Sequence, residues 1–579
     1  MPTGSSRRPP SRRPPRRPVA RRRAVVARER TRRIRILTLC ALVLIVVLGA
    51  RAAFLGTVRA DDLSSLSLNQ SRHPTDLPAP RGSIVARDGS DLATDRLAVD
   101  VTASPDLITD PQRVAASLGP ILRRDPNDLA NILAKPGRYA VLARNVVPAA
   151  ADRARDLGIA GIYFSDTYQR FYPGGMLAAQ VLGLTGDEHQ GITGLESRYD
   201  DTLTGTPGRR VEVRDVFGRP IQVLSDTPAV PGGDVTLTID PAIQNQMEST
   251  LAATREEYGA RSATAIAMDP RDGSILAMAT VPRYNPNKRT ALNPELQRNR
   301  PVEDTFEPGS TFKIVTMIGA LEDGTVTPGT SFTLPPLISL YDGEATLKDA
   351  HERGTETLTA SQILEQSSNI GIYNIALGLG KERLQAWMKR FGFGSPTGID
   401  YPGEATGYLR PSDEWYGTGI LNIPIGQGVS ATLTQLTRAY AAVANGGMLV
   451  EPHLVSRVGG TAVDPGPGRR IVSPETARKV DRMLRTVVSS DGTGELAQVK
   501  GFEVAGKTGT AEKIDPATGK YSQEKYTSSF VGYVPADNPQ LLIAVVVDEP
   551  SGSYYGGDVA APAFEQIAEL SLQSLRITP

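Results

Sequence analysis

Cysteine is almost absent from the chain. One residue, Cys40, among 579 excludes an intrachain disulfide framework and a cysteine-built metal cluster. Histidine is scarce as well. His73, His189, His351 and His453 are scattered without neighbouring cysteines, so no zinc site is expected. None of them sits in a recognisable catalytic motif, and no G-x-S-x-G occurs, which disfavours a Ser-His-Asp triad. Lysine is the third scarcity, with twelve among 64 basic residues. Chemistry is therefore expected to run on hydroxyls, amines, amides and carboxylates, without a metal or cofactor. A hydrophobic share of 40% excludes a wholly disordered chain, and no short-period repeat is present.

What is abundant is arginine, and it is unevenly placed. The formal net charge of +1 hides a split: residues 1–35 hold fourteen arginines and one acid, Glu29, for +13, which leaves −12 for the rest. Arg, Pro and Ser dominate this stretch, which reads as a disordered tail. An apolar run follows from Ile36 to Ala50 and continues past Arg51 to Leu55. Twenty residues at 1.5 Å each cross roughly 30 Å of hydrocarbon, with Arg51 snorkelling to the far interface. A transmembrane helix is expected over 36–57, with the arginines holding the N-terminus in the cytoplasm and the long C-terminal part outside. A cleaved signal peptide (Ala50-Arg51-Ala52 has A-x-A form) and a twin-arginine signal at Arg32-Arg33 are the competing readings. The long basic segment favours a retained anchor. A nucleic-acid-binding tail is the third reading of the arginines, but topology and anionic lipid account for them directly, and no nucleic acid is expected as a partner.

Beyond the anchor, residues 58–80 are polar and proline-bearing, like a stalk. RGSIVARDGSDLATD from Arg81 reads as two short strands about Asp88-Gly89, residues 110–160 have helical spacing, and Pro231-Gly232-Gly233 marks a break. After it, Asp240-Pro241 opens a helix through Glu257, and Ser262–Thr280 reads as a hairpin about Asp272-Gly273. Helices are expected over Thr311–Glu322, Ser361–Gly378 and Leu433–Asn445, then a strand pair over Thr527–Pro550 and a last helix near Ala561–Leu575. Strands, many helices, then strands again predict an α+β domain whose single sheet joins both ends of the region.

Three short elements carry chemistry. Ser310-Thr311-Phe312-Lys313 follows a helix-start signal, so Lys313 lies over Ser310 at i+3. A serine hydroxyl needs an adjacent base, and lysine serves only if its pKa is lowered from about 10.4. Ser367-Ser368-Asn369 lies between helical stretches, where a loop points a hydroxyl and an amide into a cleft, and Lys507-Thr508-Gly509-Thr510 follows the strand-like FEVAG. Taken singly, Ser310 could be a helix cap, Lys313 a solvated residue, and the other two ordinary turns. Together and in this order they match the S-x-x-K, S-x-N and K-T-G set of serine β-lactamases and penicillin-binding proteins. Asp400 and Glu404, in GIDYPGE, read as turn residues, and His351 as a surface residue.

On these residues the chain resembles the class B penicillin-binding proteins, and the block Arg298–Lys313 (RNRPVEDTFEPGSTFK) is similar to the cell-division, FtsI-type transpeptidases. RGSIVARDG, GLESRYDDTLTGTPG, GQGVSATLTQLTRAYAAVANGG and YYGGDVAAP are further matching blocks. The resemblance implies an elongated, mostly-β pedestal over 58–232 and a transpeptidase domain over 233–579, an antiparallel sheet flanked by helices as in serine β-lactamases. It implies a peptidoglycan D,D-transpeptidase in which Ser310 is the nucleophile and Lys313 its base. Ser367 relays a proton, Asn369 holds the substrate amide, and Lys507 tunes the site. Thr508, Gly509 and Thr510 bind substrate, with the N–H groups of Ser310 and Thr510 forming the oxyanion hole. Implied partners are D-Ala-D-Ala stem peptides, β-lactams, the membrane, a SEDS-type (FtsW-like) glycan polymerase and other divisome proteins at the septum. A D,D-carboxypeptidase, an elongation-type paralogue and a non-catalytic β-lactam sensor or scaffold remain as alternatives. No glycosyltransferase-like segment is present, which disfavours the bifunctional class A. The bias to Arg over Lys and to Ala, Pro and Gly points to a high-GC, actinobacterial source.

Overall fold

The computed structural model describes residues 19–62, 72–214, 220–288, 293–340, 345–350, 352–416 and 419–579; His351 lies outside them. The chain divides into two compact units, Met1–Asp76 with Arg209–Pro228, and Leu77–Gly208 with Ala229–Pro579.

The first unit contains helix α1 (Val19–Thr57) and a three-stranded sheet of Arg72–Leu77, Gly208–Arg214 and Pro220–Thr227. Helix α1 starts at Val19, well before the expected Ile36. The segment after Pro18 is rich in Arg and Ala, both good helix formers, and has no Pro or Gly to stop it, so helix runs from the basic stretch into the apolar one. Its 29 residues from Glu29 to Thr57 are long and apolar enough to cross a membrane.

In the second unit, a mixed seven-stranded sheet runs across the expected boundary at Gly233. Ile84–Val85 pairs in parallel with Val235–Leu237, which pairs antiparallel with Val455–Val458. Pro231-Gly232-Gly233 is thus a packed turn rather than a break: Gly232 N–H donates to Pro80 O at 3.0 Å and Gly233 N–H to Thr202 O at 2.8 Å. Residues 110–160 hold three helices, as their spacing suggests, and one strand that it does not, Ala140–Val146. A fully buried ion network ties the N-terminal part of this unit together. Glu196 accepts from Arg81 Nε at 2.7 Å and from Arg170 Nε at 2.6 Å, and all three side chains are inaccessible.

The C-terminal part is built on a five-stranded antiparallel sheet of β1 (Ser262–Met268), β2 (Ile275–Val281), β3 (Ala505–Ile514), β4 (Tyr521–Val534) and β5 (Leu541–Asp548), in the order β2-β1-β5-β4-β3. The sheet therefore does join both ends of the region. Strands β1, β2 and β5 are buried almost throughout because both faces are covered, which is why their sequences read as continuous apolar runs. One face packs on α2 (Pro241–Glu257), capped by the Asp240 carboxylate. The other faces a helical layer with α3 (Lys313–Glu322), α4 (Asn369–Leu379) and α5 (Leu433–Ala444). The last helix, α6 (Gly556–Ser574), joins α2 on the first face and begins five residues before the expected Ala561. Strand β3 is left as an edge beside the turn that leads into α3, and there the three motifs meet.

Candidate active site

Ser310 lies in a single 3-10 turn, Gly309–Phe312, that leads directly into α3. Residues three apart eclipse in such a turn, so Lys313 shares a face with Ser310. The turn is pinned from several directions: Gly309 N–H donates to Gly426 O at 3.0 Å, Thr311 Oγ1 to Pro308 O at 2.7 Å, and Tyr440 Oη to Thr311 O at 2.8 Å. Phe312, wholly buried, meets Phe393 edge-on at 4.9 Å. Ser310 stays half-buried while its neighbours Thr311, Phe312 and Lys313 are fully enclosed.

The expected helix over Ser361–Gly378 is two, Ala360–Glu365 and α4, with Ser367 between them in a left-handed conformation, φ 58°. A residue with a Cβ adopts that conformation at a cost of about 1–2 kcal/mol. Here the reversal turns both Ser367 and Asn369 onto Lys313. Lys313 Nζ donates to Ser367 O at 2.6 Å, Ser367 Oγ at 3.2 Å and Asn369 Oδ1 at 2.7 Å. These contacts match the three N–H donors of an ammonium.

Opposite stands β3. Its residue Gly509 passes so close to the serine turn that an added Cβ would lie 2.9 Å from Thr311 Cγ2 and 3.0 Å from Pro308 O. Lys507 is as inaccessible as Lys313, and its Nζ donates to the carbonyl and hydroxyl oxygens of Thr508, both at 3.2 Å. The Thr508 hydroxyl is 2.7 Å from that of Thr493, and Thr510 Oγ1 accepts from Gly556 N–H at 3.0 Å. Thr510 O faces Gly309, with 2.9 Å to the place of its missing Cβ. In an antiparallel strand the N–H and C=O of one residue point the same way, so Thr510 N–H faces the serine turn too.

Burial is the main electrostatic force on both lysines, since it disfavours the charged amine. It brings Lys313 down to about 7; the Asp349 carboxylate opposes the shift and the Arg353 guanidinium adds to it. Lys507 is held well below the usual lysine range by burial and then by the charge on Lys313. An amine near neutrality one turn from a half-exposed hydroxyl is suited to accept its proton.

The eight residues expected from sequence thus lie on the serine turn, on the Ser367–Asn369 turn bonded to Lys313, and on the part of β3 that runs against the serine turn. Asp400 and Glu404 stay outside this site as turn residues: Asp400 accepts from the Leu454 and Val455 N–H groups, and Glu404 from Thr397. His453 Nε2 is 3.1 Å from Ser274 Oγ, but its Nδ1 faces the Glu451 carbonyl and no carboxylate, so no triad forms. Sequence reasoning missed Asp349, Arg353 and Thr493. It also missed Glu307, whose carboxylate accepts from Gly428 N–H at 2.8 Å and from Tyr521 Oη at 3.0 Å. Tyr526 and Tyr554, stacked at 4.1 Å with Tyr555 beside them, form an aromatic surface next to the start of α6. Of these, Glu307 lies in the Arg298–Lys313 block and Tyr554 and Tyr555 in the Tyr-Tyr-Gly-Gly block, the two sequence signals that could have found them.

An antiparallel sheet with a buried lysine pair, a serine turn and an edge K-T-G strand defines the class of serine acyltransferases that react with penicillin. The penicillin binding protein transpeptidase domain matches residues 263–569, and the penicillin-binding protein dimerisation domain matches residues 76–237. The chain belongs to the class B penicillin-binding proteins. It is 36% identical over 452 residues to penicillin-binding protein PbpB of Mycolicibacterium smegmatis, covering 75% of this chain and 69% of that one. To the peptidoglycan D,D-transpeptidase FtsI of Escherichia coli it is 34% identical over 457 residues, covering 78% and 75%. The crystal structure of penicillin binding protein 3 from Mycobacterium tuberculosis complexed with aztreonam superimposes with a TM-score of 0.69 at 30% identity, over 87% of this chain and 98% of that one.

Proposed function

We propose that this protein is a peptidoglycan D,D-transpeptidase that cross-links stem peptides through an acyl-Ser310 intermediate, and that it acts in septal wall synthesis. The observation that carries the mechanism is Lys313: buried, near neutrality, one turn from Ser310 and in contact with Ser367 and Asn369. In its neutral form the amine keeps two N–H groups and gains a lone pair, so one contact is released and the lone pair takes the proton of Ser310. Ser310 Oγ then attacks the carbonyl of the penultimate D-Ala. The developing oxyanion is met by the N–H groups of Ser310 and Thr510, each donor worth about 3 kcal/mol. Ser367 carries the proton to the leaving D-Ala amine, Asn369 orients the peptide amide, and Lys507 with Thr508, Gly509 and Thr510 receives the terminal carboxylate. The amine of a second stem peptide attacks the ester, forms the cross-link and frees Ser310. A β-lactam enters the first step and stays bound.

The −12 of the chain after residue 35 belongs to an extracytoplasmic enzyme held by α1, with the arginine-rich end in the cytoplasm. The site partners are stem peptides and β-lactams, and a SEDS-type, FtsW-like polymerase supplies the glycan within the division machinery. Fluorescent penicillin should label the purified protein covalently, and Ser310→Ala should abolish the label; labelling that persists overturns the mechanism. With lipid-linked precursor and a glycan polymerase, cross-linked dimers are expected, and free D-alanine alone would mark a hydrolase. A fluorescent fusion should concentrate at the septum.

A further inference from the structure

The wall opposite β3 rests on one carboxylate that the mechanism above does not use. Asp349 is 8% exposed and lies two residues before His351. Its Oδ2 accepts from Ser368 Oγ at 2.8 Å, and its Oδ1 accepts from the N–H groups of Asn369 at 2.5 Å and Ile370 at 3.1 Å. Ser368 Oγ, inaccessible, accepts in turn from Gly371 N–H at 2.9 Å. One carboxylate therefore caps α4 and fastens two consecutive residues of the turn that presents Ser367 and Asn369 to Lys313 Nζ. The Asn369 side chain is held from the same segment, since its Nδ2 donates to Lys348 O at 2.9 Å. Behind Asp349 stands Arg353, its Nε 3.5 Å from Oδ2; its Nη1 donates to Gln366 Oε1 at 2.5 Å and to Glu356 at 2.8 Å. Arg353 thus braces the residue just before Ser367.

We propose that Asp349, braced by Arg353, is the positioning residue of this active site: it locks the Ser367–Asn369 turn against Lys313 and sets the local field at that amine. The inference rests on the reading of Ser310 as nucleophile and Lys313 as its base. Among the described residues, the charged groups at Lys313 are Asp349 and Arg353 on this segment and Lys507 on β3, whose own charge is disfavoured by burial. Asp349 favours the protonated amine and Arg353 disfavours it, so their removal acts in opposite directions. A purely structural anchor lacks that property. It lowers the rate without moving the pH at which the base becomes active.

The experiment is the pH dependence of the second-order rate of acylation by fluorescent penicillin, measured on the full chain in detergent. The wild-type rate falls on the acid side as Lys313 takes up a proton. Asp349→Asn should lower the plateau about tenfold, through lost anchoring of the turn, and move the acid limb to lower pH. Asp349→Glu keeps the charge on a longer arm, so the plateau falls and the limb stays. Arg353→Gln should move the limb to higher pH. A limb that is unmoved in both Asp349→Asn and Arg353→Gln, or that moves the same way in both, overturns the proposal. Should Asp349→Asn not fold, the direction of the Arg353→Gln shift decides. Absence of labelling in the wild type, or its persistence in Ser310→Ala, overturns the reading of the site itself and is thereby told apart.

Discussion

Replacing Lys313 by methionine should abolish acylation and yet relieve the protein of a buried amine. Lys313 is inaccessible, and its pKa falls from 10.5 to about 7 on folding. Between those values the folded amine is neutral and the unfolded one is charged, so unfolding takes up a proton and stability rises with pH. The linkage is worth about 1.4 kcal/mol per pH unit and about 5 kcal/mol in full, a cost that is complete at and below pH 7 and gone above 10.5. Methionine has similar length and no such linkage. It also removes the donors to Ser367 O and Asn369 Oδ1, at about 1–3 kcal/mol for each acceptor left buried without a partner. Those losses offset much of the gain near pH 7, which makes the slope decisive. From pH 7.5 to 9.5 the stability of wild type should rise by about 3 kcal/mol relative to Lys313→Met. Urea unfolding reads this through the two tryptophans, Trp387 and Trp415, both buried in the helical lobe; Trp387 lies against Gly319 of α3. A difference that is constant across this range would refute a depressed, buried lysine and with it the assignment of Lys313 as the base.

Gly509→Ala places a methyl group against Thr311 Cγ2 and Pro308 O, so β3 must move away from the serine turn; acylation should fall about 10–100-fold while stability drops by about 1–3 kcal/mol, and an unchanged labelling rate would contradict the tight approach. Glu196→Gln leaves two buried guanidiniums short of their shared anion and should cost about 3–5 kcal/mol, seen as a fall in Tm of about 5–15 °C by calorimetry; a loss below 1 kcal/mol would show that Asp95 and Asp200 suffice. Thr493→Val removes the hydroxyl partner of Thr508 and should slow acylation several-fold without changing the acid limb set by Lys313, which the same penicillin assay measures.

Much of this fold is legible in the sequence. The Asp240-Pro241 cap, the Asp272-Gly273 hairpin and the apolar runs of β1 and β5 are local signals, and each element formed where its local chemistry points. Other boundaries moved because neighbours decided them. Helix α1 absorbs arginines that composition alone assigns to a disordered tail, and Pro231-Gly232-Gly233, by composition a linker, is held by backbone bonds to Pro80 and Thr202 in a sheet that passes through it. Pairing between strands that lie far apart in the chain leaves no local trace.

The same division holds in the site. The serine, the two lysines, the amide and the K-T-G strand were legible from the order of three motifs and the family resemblance they carry, because acyl transfer needs such groups in such local settings. Only the tertiary structure decided that Lys313 sheds its water, that Ser367 turns left-handed towards it, and that Asp349 and Thr493 join the walls. The physical reason is that a side chain's pKa and partners are set by what packs around it. The protein brings Lys313 into contact with Ser367 and sets Lys507 within reach of the charge on Lys313, across nearly two hundred residues of sequence. The charge of +1 follows the same logic: its sum is readable from composition, but the burial of two of its lysines is not.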